Sequence, residues 1–328
     1  ARLAFLGSYM VPKAYMEKVG LEGFNAKPVG SGPYKLVEYQ MNARIILERN
    51  EQYWGPKAPL KRITIEVIKD QTARVAAVQS GQVDLTAGVP VRETTRLGKL
   101  AGLAGELNPI TRIILLQVRN DMGFADPNIR LAAHHAIDKA ALSRAFYAGA
   151  AVPLSVPGVP GSPGYLEDFH FAYDPKLAMQ LLAKSGYGPK KPARIRMATT
   201  NGTFASDYDI ARAKYFELNR GNKLPESTLY SFDNATDDPE IYAGYLLNPK
   251  LPFSPWKDPV FGEKVIALFN VADEKARIAG WRALNKEAVE IGACMPLLQS
   301  VQTLVRKKAL DYTRYGNGWV LPQTMRWS

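Results

Sequence analysis

Apolar residues recur along the chain at two spacings, and each spacing predicts a different element. Period-two or continuous apolar runs mark strands, and period-3.6 runs mark helices. Strands are expected at Tyr34–Tyr39 and Arg44–Arg49, the latter around Ile45, Ile46 and Leu47. Leu60–Lys69 alternates imperfectly at Ile63, Ile65 and Val67, as a half-buried strand would. Thr111–Val118 is apolar on both faces and reads as a fully buried strand. Shorter strands are expected at Val83–Leu85, Arg194–Thr199, Tyr230–Phe232 and Val301–Val305. Helical spacing predicts Val11–Val19, Ala73–Ser80, Pro90–Gly98, Leu131–Phe146, Asp258–Phe269 and Ala272–Ile291, the last with Ile278, Trp281, Leu284, Ala288 and Ile291 on one side. Asp174 is an expected N-cap for a helix carrying Ala178, Leu181 and Leu182 that stops at Gly186. Between them, the Pro- and Gly-rich stretch Gly149–Tyr165 predicts a long structured loop.

This mixture is α/β, and 328 residues suffice for two packed lobes. A hydrophobic share of 46% and a charged share of 22% are ordinary for a globular chain. No apolar run approaches the ~20 residues of a membrane span, and Ala1–Gly7 does not read as an intact secretory signal. The net charge of +11 invites a nucleic-acid partner. Its basic residues are scattered, with Arg306-Lys307-Lys308 the densest run, which argues against one.

Candidate chemistry is sparse. The single cysteine, Cys294, sits among Ile291, Ala293 and Met295 and reads as a buried inert thiol. His134 and His135 point about 100° apart on a helix, His170 lies in a loop, and no ligand spacing for a metal is present. There is no Gly-x-Ser-x-Gly elbow, and Gly30-Ser31-Gly32 lacks the flanks of a phosphate loop. Nothing points to a cofactor, and an enzyme reading would need a cryptic site.

One stretch is more specific. Pro28–Gly55 reads PVGSGPYKLVEYQMNARIILERNEQYWG, a Gly/Pro turn, two strands and an aromatic exit. It resembles the signature of the family 5 extracytoplasmic solute-binding proteins of ABC importers, which take up peptides, nickel and opines. Ala136-Ile137-Asp138-Lys139 and the tail Tyr312–Arg326 are similar to later family segments, in order. The resemblance implies a two-lobe, type II periplasmic-binding-protein-like α/β fold with a hinge and mixed sheets flanked by helices. Lobe I would comprise residues 1–110, lobe II 111–299, and 300–328 would return to lobe I, packing on Pro28–Val67. It implies a monomer outside the cytoplasm, periplasmic or cell-surface, that captures a peptide or peptide-like solute between the lobes and hands it to a membrane permease. A non-peptide solute, an opine or sugar conjugate, is the alternative. A hydrolase is the rival from another class, and a fragment that binds nothing tightly is a third reading.

The same resemblance places ligand contacts at Tyr230, Phe232, Asp233 and Asn234. Peptide-binding members are similar in a Gly-Trp at this strand end and an Asp four residues before a Pro, which pairs with the ligand ammonium. Here Ser231-Phe232 and Ala235 occupy those places, so the ammonium anchor is lost unless Asp233 substitutes. Arg112 opens the apolar strand at the lobe crossing, where it would meet a ligand carboxylate or phosphate, or else form an interlobe ion pair. Asn201 and Phe204 follow another strand end; Thr203 stands near where the family often has an Arg. Two departures remain. Family members carry a lobe-sized segment ahead of the position of Ala1. Near Ala213-Lys214 a helix-and-strand unit is skipped, so the spacing expects a discontinuity within 205–220.

Overall fold

The computed structural model describes residues 10–200, 209–210, 217–218, 221, 223–234, 237–252 and 254–328. The chain divides into unit 1, Ala1–Ile110 with Gln302–Ser328, and unit 2, Thr111–Val301. The suspected discontinuity falls almost wholly on residues outside those described.

In unit 1, α1 (Lys13–Ala26) is longer than the expected helix and breaks at Gly20, whose φ of 68° leaves the helical region. β1 (Tyr34–Gln40), β2 (Arg44–Arg49) and β3 (Arg62–Glu66) form an antiparallel sheet in sequence order. Tyr34 lies opposite Arg49, and a bulge between Leu36 and Glu38 shifts the register. The Leu60–Lys69 strand is shortened to five residues, the length over which β2 offers partners. Asp70 caps α2 (Gln71–Gln79) by accepting from the Ala73 N–H at 2.7 Å, and Gly81 ends it at φ 77°. β4 (Leu85–Ala87) pairs antiparallel with residues 304–306 of β9 (Cys294–Lys307). Val78, Val89, Leu97 of α3 (Val91–Leu97), Leu103 and Val305 form the core of this unit. From the returning tail, Pro322 O accepts from the Tyr34 hydroxyl at 3.5 Å, and β10 (Leu310–Asp311) pairs with β11 (Arg326–Trp327).

A buried carboxylate organises the tail. Glu106 accepts from Arg306 Nε at 2.8 Å, Tyr312 OH at 2.8 Å and Asn108 Nδ2 at 3.2 Å, with Arg314 Nη2 at 3.1 Å. Burial alone would raise the Glu106 carboxyl; the donors and the Arg314 charge outweigh it and hold the group below its ordinary value. The Tyr312 phenol, partly buried and facing that anion, is pushed up to about 12.

β5 spans Leu103–Val118, eight residues longer at its start than the apolar run suggested, because Leu103–Ile110 continues the strand with partly exposed positions. In unit 2 its second half pairs antiparallel with β8 (Ser227–Asp233); β6 (Met197–Thr200) runs parallel to β8, and β7 (Asp209–Ile210) parallel to β6. The expected helix Leu131–Phe146 is two helices, α4 (Pro127–His135) and α5 (Lys139–Tyr147). Asp138 causes the break, since its carboxylate accepts from the Ala141 N–H at 2.8 Å as a fresh N-cap. Asp174 caps α6 (Pro175–Lys184), Asp258 caps α7 (Pro259–Phe269) and Asp273 caps α8 (Glu274–Glu290). A one-turn π-helix, Ile241–Leu246, carries the fully buried Tyr242. These helices cover a core that includes Ile113, Leu115, Trp256, Trp281 and Met295, with Trp281 edge-on to Phe269 at 5.3 Å. β9 begins at Cys294, not Val301: Pro296 hides the strand from propensity, but Cys294–Gln299 is buried throughout.

Candidate ligand-binding site

Strand register sets the candidate residues. Arg112 stands opposite Asp233, Ile113 opposite Phe232 and Leu115 opposite Tyr230. Alternation therefore puts Tyr230 and Phe232 on one face of β8 and Ser231 and Asp233 on the other. The two aromatic rings lie 6.4 Å apart and pack, half-buried, on the core of unit 2. On the opposite face Arg112 Nη2 meets Asp233 Oδ2 at 3.4 Å, while the Thr111 hydroxyl donates to Asp233 Oδ1 at 3.3 Å. Of the two roles expected for Arg112, a ligand anion or an interlobe ion pair, neither is what the described residues display: the guanidinium meets a cross-strand carboxylate inside unit 2. With side chains 46% and 26% exposed, the pair is worth about 0–1 kcal/mol.

Beyond β8, Asn234 Nδ2 donates to Asp238 O at 3.1 Å, and the Asp237 N–H donates to Asn234 O. Asp237 sits at φ 57°, where a non-glycine backbone is strained. Burial first, and then the Asp238 charge, push its carboxyl up, and its Oδ1 is buried with no hydrogen-bond partner among the described residues. Asp238 is held by Arg277 of α8 at 3.4 Å. Neither feature was legible in the sequence: Arg277 lies about forty residues on, and no pattern announces a left-handed aspartate. Asn201, Thr203, Phe204 and Ala235 lie outside the described residues.

A second polar set lies deeper. Lys139 Nζ donates to Leu154 O at 2.7 Å and approaches His134 Nε2 at 3.1 Å; the His134 ring stacks on Phe171 at 3.6 Å. Burial, aided by the Lys139 charge, takes His134 down to about 2, so the imidazole is neutral and accepts from the lysine. Burial also lowers Lys139 to about 8. Cys294 is fully buried and pushed up to about 12, so at neutral pH it is a thiol and not a nucleophile. The set pins the loop after α5 to α4; it offers no activated attacking atom. Among the described residues no three His, Cys, Asp or Glu side chains are grouped to hold a metal, and no helix is long and apolar enough to cross a membrane.

Comparison with known proteins reinforces the turn-and-strand signature. The model of bacterial extracellular solute-binding proteins, family 5 Middle, matches residues 2–219. Heme-binding protein A of Haemophilus influenzae is 29% identical over 168 residues, covering 51% of this chain and 31% of that protein. Glutathione-binding protein GsiB of Escherichia coli K12 is 32% identical over 190 residues, covering 56% of this chain and 36% of that protein. The chain spans about a third of the length of these two relatives. The periplasmic binding protein DppA from Helicobacter pylori, solved with the peptide STSA, superposes with a TM-score of 0.81 at 21% identity. That match covers 97% of this chain and 68% of DppA, and shows a common type II periplasmic-binding-protein-like α/β fold.

Proposed function

Because the chain belongs to the bacterial extracellular solute-binding proteins of family 5, we propose that it captures a peptide or peptide-like solute for the permease of an ABC importer. The observation that carries this reading is the family match over residues 2–219. The protein acts outside the cytoplasm, as a monomer, and binds without catalysing. The fully buried, protonated Cys294 and the neutral His134 support the last point.

The proposed ligand contacts are Arg112, Asp233 and Asn234 at the end of β8, Tyr230 and Phe232 on the other face of that strand, and Asn201 and Phe204. Arg112 and Asp233 present opposite charges at one strand end, held to each other by a bond of small net worth. A solute with a carboxylate and an ammonium replaces that pair with two charge-assisted bonds at low cost. This favours a solute that carries both charges, as a zwitterionic peptide does, over a neutral sugar conjugate, and names Asp233 as the stand-in for the anchor that Ala235 cannot supply. Relatives are named for glutathione and solved with a tetrapeptide, which is the same chemistry.

Native mass spectrometry of the purified protein is expected to show a retained small solute. Calorimetry with that solute is expected to find Phe232→Ala weaker by about 1–3 kcal/mol, the cost of truncating an aromatic anchor. Unchanged affinity in this variant would remove β8 from the site. Release of a hydrolysed product on incubation would favour the hydrolase instead.

A further inference from the structure

Unit 2 carries a pocket of about 540 Å³ that shares no residue with the site above. Its volume lies within the range of small-molecule sites, about 300–1,000 Å³. One wall is α8, which contributes Arg282 and, one turn on, Lys286. The other is the loop of residues 161–169, which contributes Ser162, Tyr165, Phe169 and, at the rim, Glu167 and Asp168.

The charges are only partly engaged internally. Arg282 donates through Nε to Pro163 O, which fixes the guanidinium plane, and its two terminal nitrogens make no bond among the described residues. Lys286 Nζ lies 5.2 Å over the Phe169 ring and 3.5 Å from Glu290 Oε1. Glu167 and Asp168 are exposed and form no ion pair among the described residues. Ser162 is 8% exposed, and its Oγ has no hydrogen-bond partner among the described residues.

We propose that this pocket binds a small zwitterion, an amino acid with an apolar or aromatic side chain. Its carboxylate takes the Arg282 fork, with Lys286 as the second cation. Its ammonium faces the Glu167–Asp168 rim, and its side chain lies along Tyr165 and Phe169. An inorganic anion would satisfy only the cationic wall, leaving the acidic rim without a counter-charge. The inference does not depend on solute capture by the other site.

Calorimetry of the whole chain with L-phenylalanine tests it, with N-acetyl-L-phenylalanine amide as the uncharged control. Saturable binding of the amino acid and none of the amide is expected. Arg282→Gln and Lys286→Gln, tested separately, are each expected to weaken binding by roughly tenfold, the loss of one charge-assisted bond. Arg282→Lys is expected to recover only part of it. Lys286→Gln leaves the Pro163 bond intact and gives up only an exposed pair with Glu290 and the Phe169 contact, so an unchanged Tm measured beside it separates recognition from folding. Absence of saturable binding, or wild-type affinity in both glutamine variants, overturns the inference. Binding lost in Phe232→Ala but kept in Arg282→Gln assigns the amino acid to the other site and overturns it as well.

Discussion

Replacing Arg130 by methionine is expected to lower the unfolding free energy by about 3–5 kcal/mol, the order expected for stranding several buried hydrogen-bond acceptors at once. Arg130 is 7% exposed and joins segments distant in sequence. Its Nη1 donates to Phe124 O at 2.6 Å and Ala125 O at 2.8 Å, and its Nε to Ile291 O at 3.0 Å. The guanidinium also lies 5.1 Å over the Trp256 ring. Methionine fills the volume but strands three carbonyls, and each unsatisfied group carries a desolvation cost of about 1–3 kcal/mol. Burial lowers the arginine pKa, while Asp126 and Asp258 oppose that shift. The side chain therefore remains a cation at neutral pH. Denaturant titration of both proteins measures the difference. Arg130→Lys is expected to restore less than half of it, because a point charge cannot reach three acceptors along a planar fork. A loss below about 1 kcal/mol would mean that the neighbouring backbone relaxes to find water.

Glu106→Gln is expected to destabilise unit 1 by about 3 kcal/mol at neutral pH, since Arg306 and Arg314 lose a buried counter-charge. The effect depends on pH in a known direction. The carboxyl of Glu106 is held below its ordinary 4.5 in the folded chain, so its contribution is fully present above that value. It is lost as pH falls through the depressed folded value. The gap between wild type and Glu106→Gln is therefore widest at neutral pH and closes in acid. Urea midpoints across that range test it; a gap that stayed constant would show that Glu106 is not ionised in the folded state.

Both residues illustrate which parts of the molecule can be read along the chain. The β1–β2 hairpin, the caps at Asp70, Asp174 and Asp258, and the apolar face of α8 rest on neighbours a few residues apart, and local spacing shows them. Family membership was legible for the same reason, because its signature lies within Pro28–Gly55. The break between α4 and α5 was missed because a capping aspartate inside an apolar run leaves the helical period almost intact. The early start of β9 was masked by Pro296. Glu106 with Arg306, Arg130 with Ile291, and Arg112 with Asp233 join residues more than a hundred positions apart. Those pairings are decided by strand order and packing, and a single sequence carries no trace of either. Of the proposed contacts, Arg112 and Asp233 meet, and Tyr230 and Phe232 share a face; the raised Asp237 carboxyl beside them had no signal at all.

Cys294 gives the protein an internal chronometer. It is the only cysteine in the chain, and its sulfur lies at the start of β9, sealed in the unit 2 core. An alkylating reagent must wait for that core to open, and even then meets a group that ionises at its ordinary alkaline value only once exposed. The rate of maleimide capture thus counts openings of unit 2 alone, while unit 1, which has no thiol, stays silent. A solute that binds unit 2 slows the count, and one that binds only unit 1 leaves the tempo unaltered.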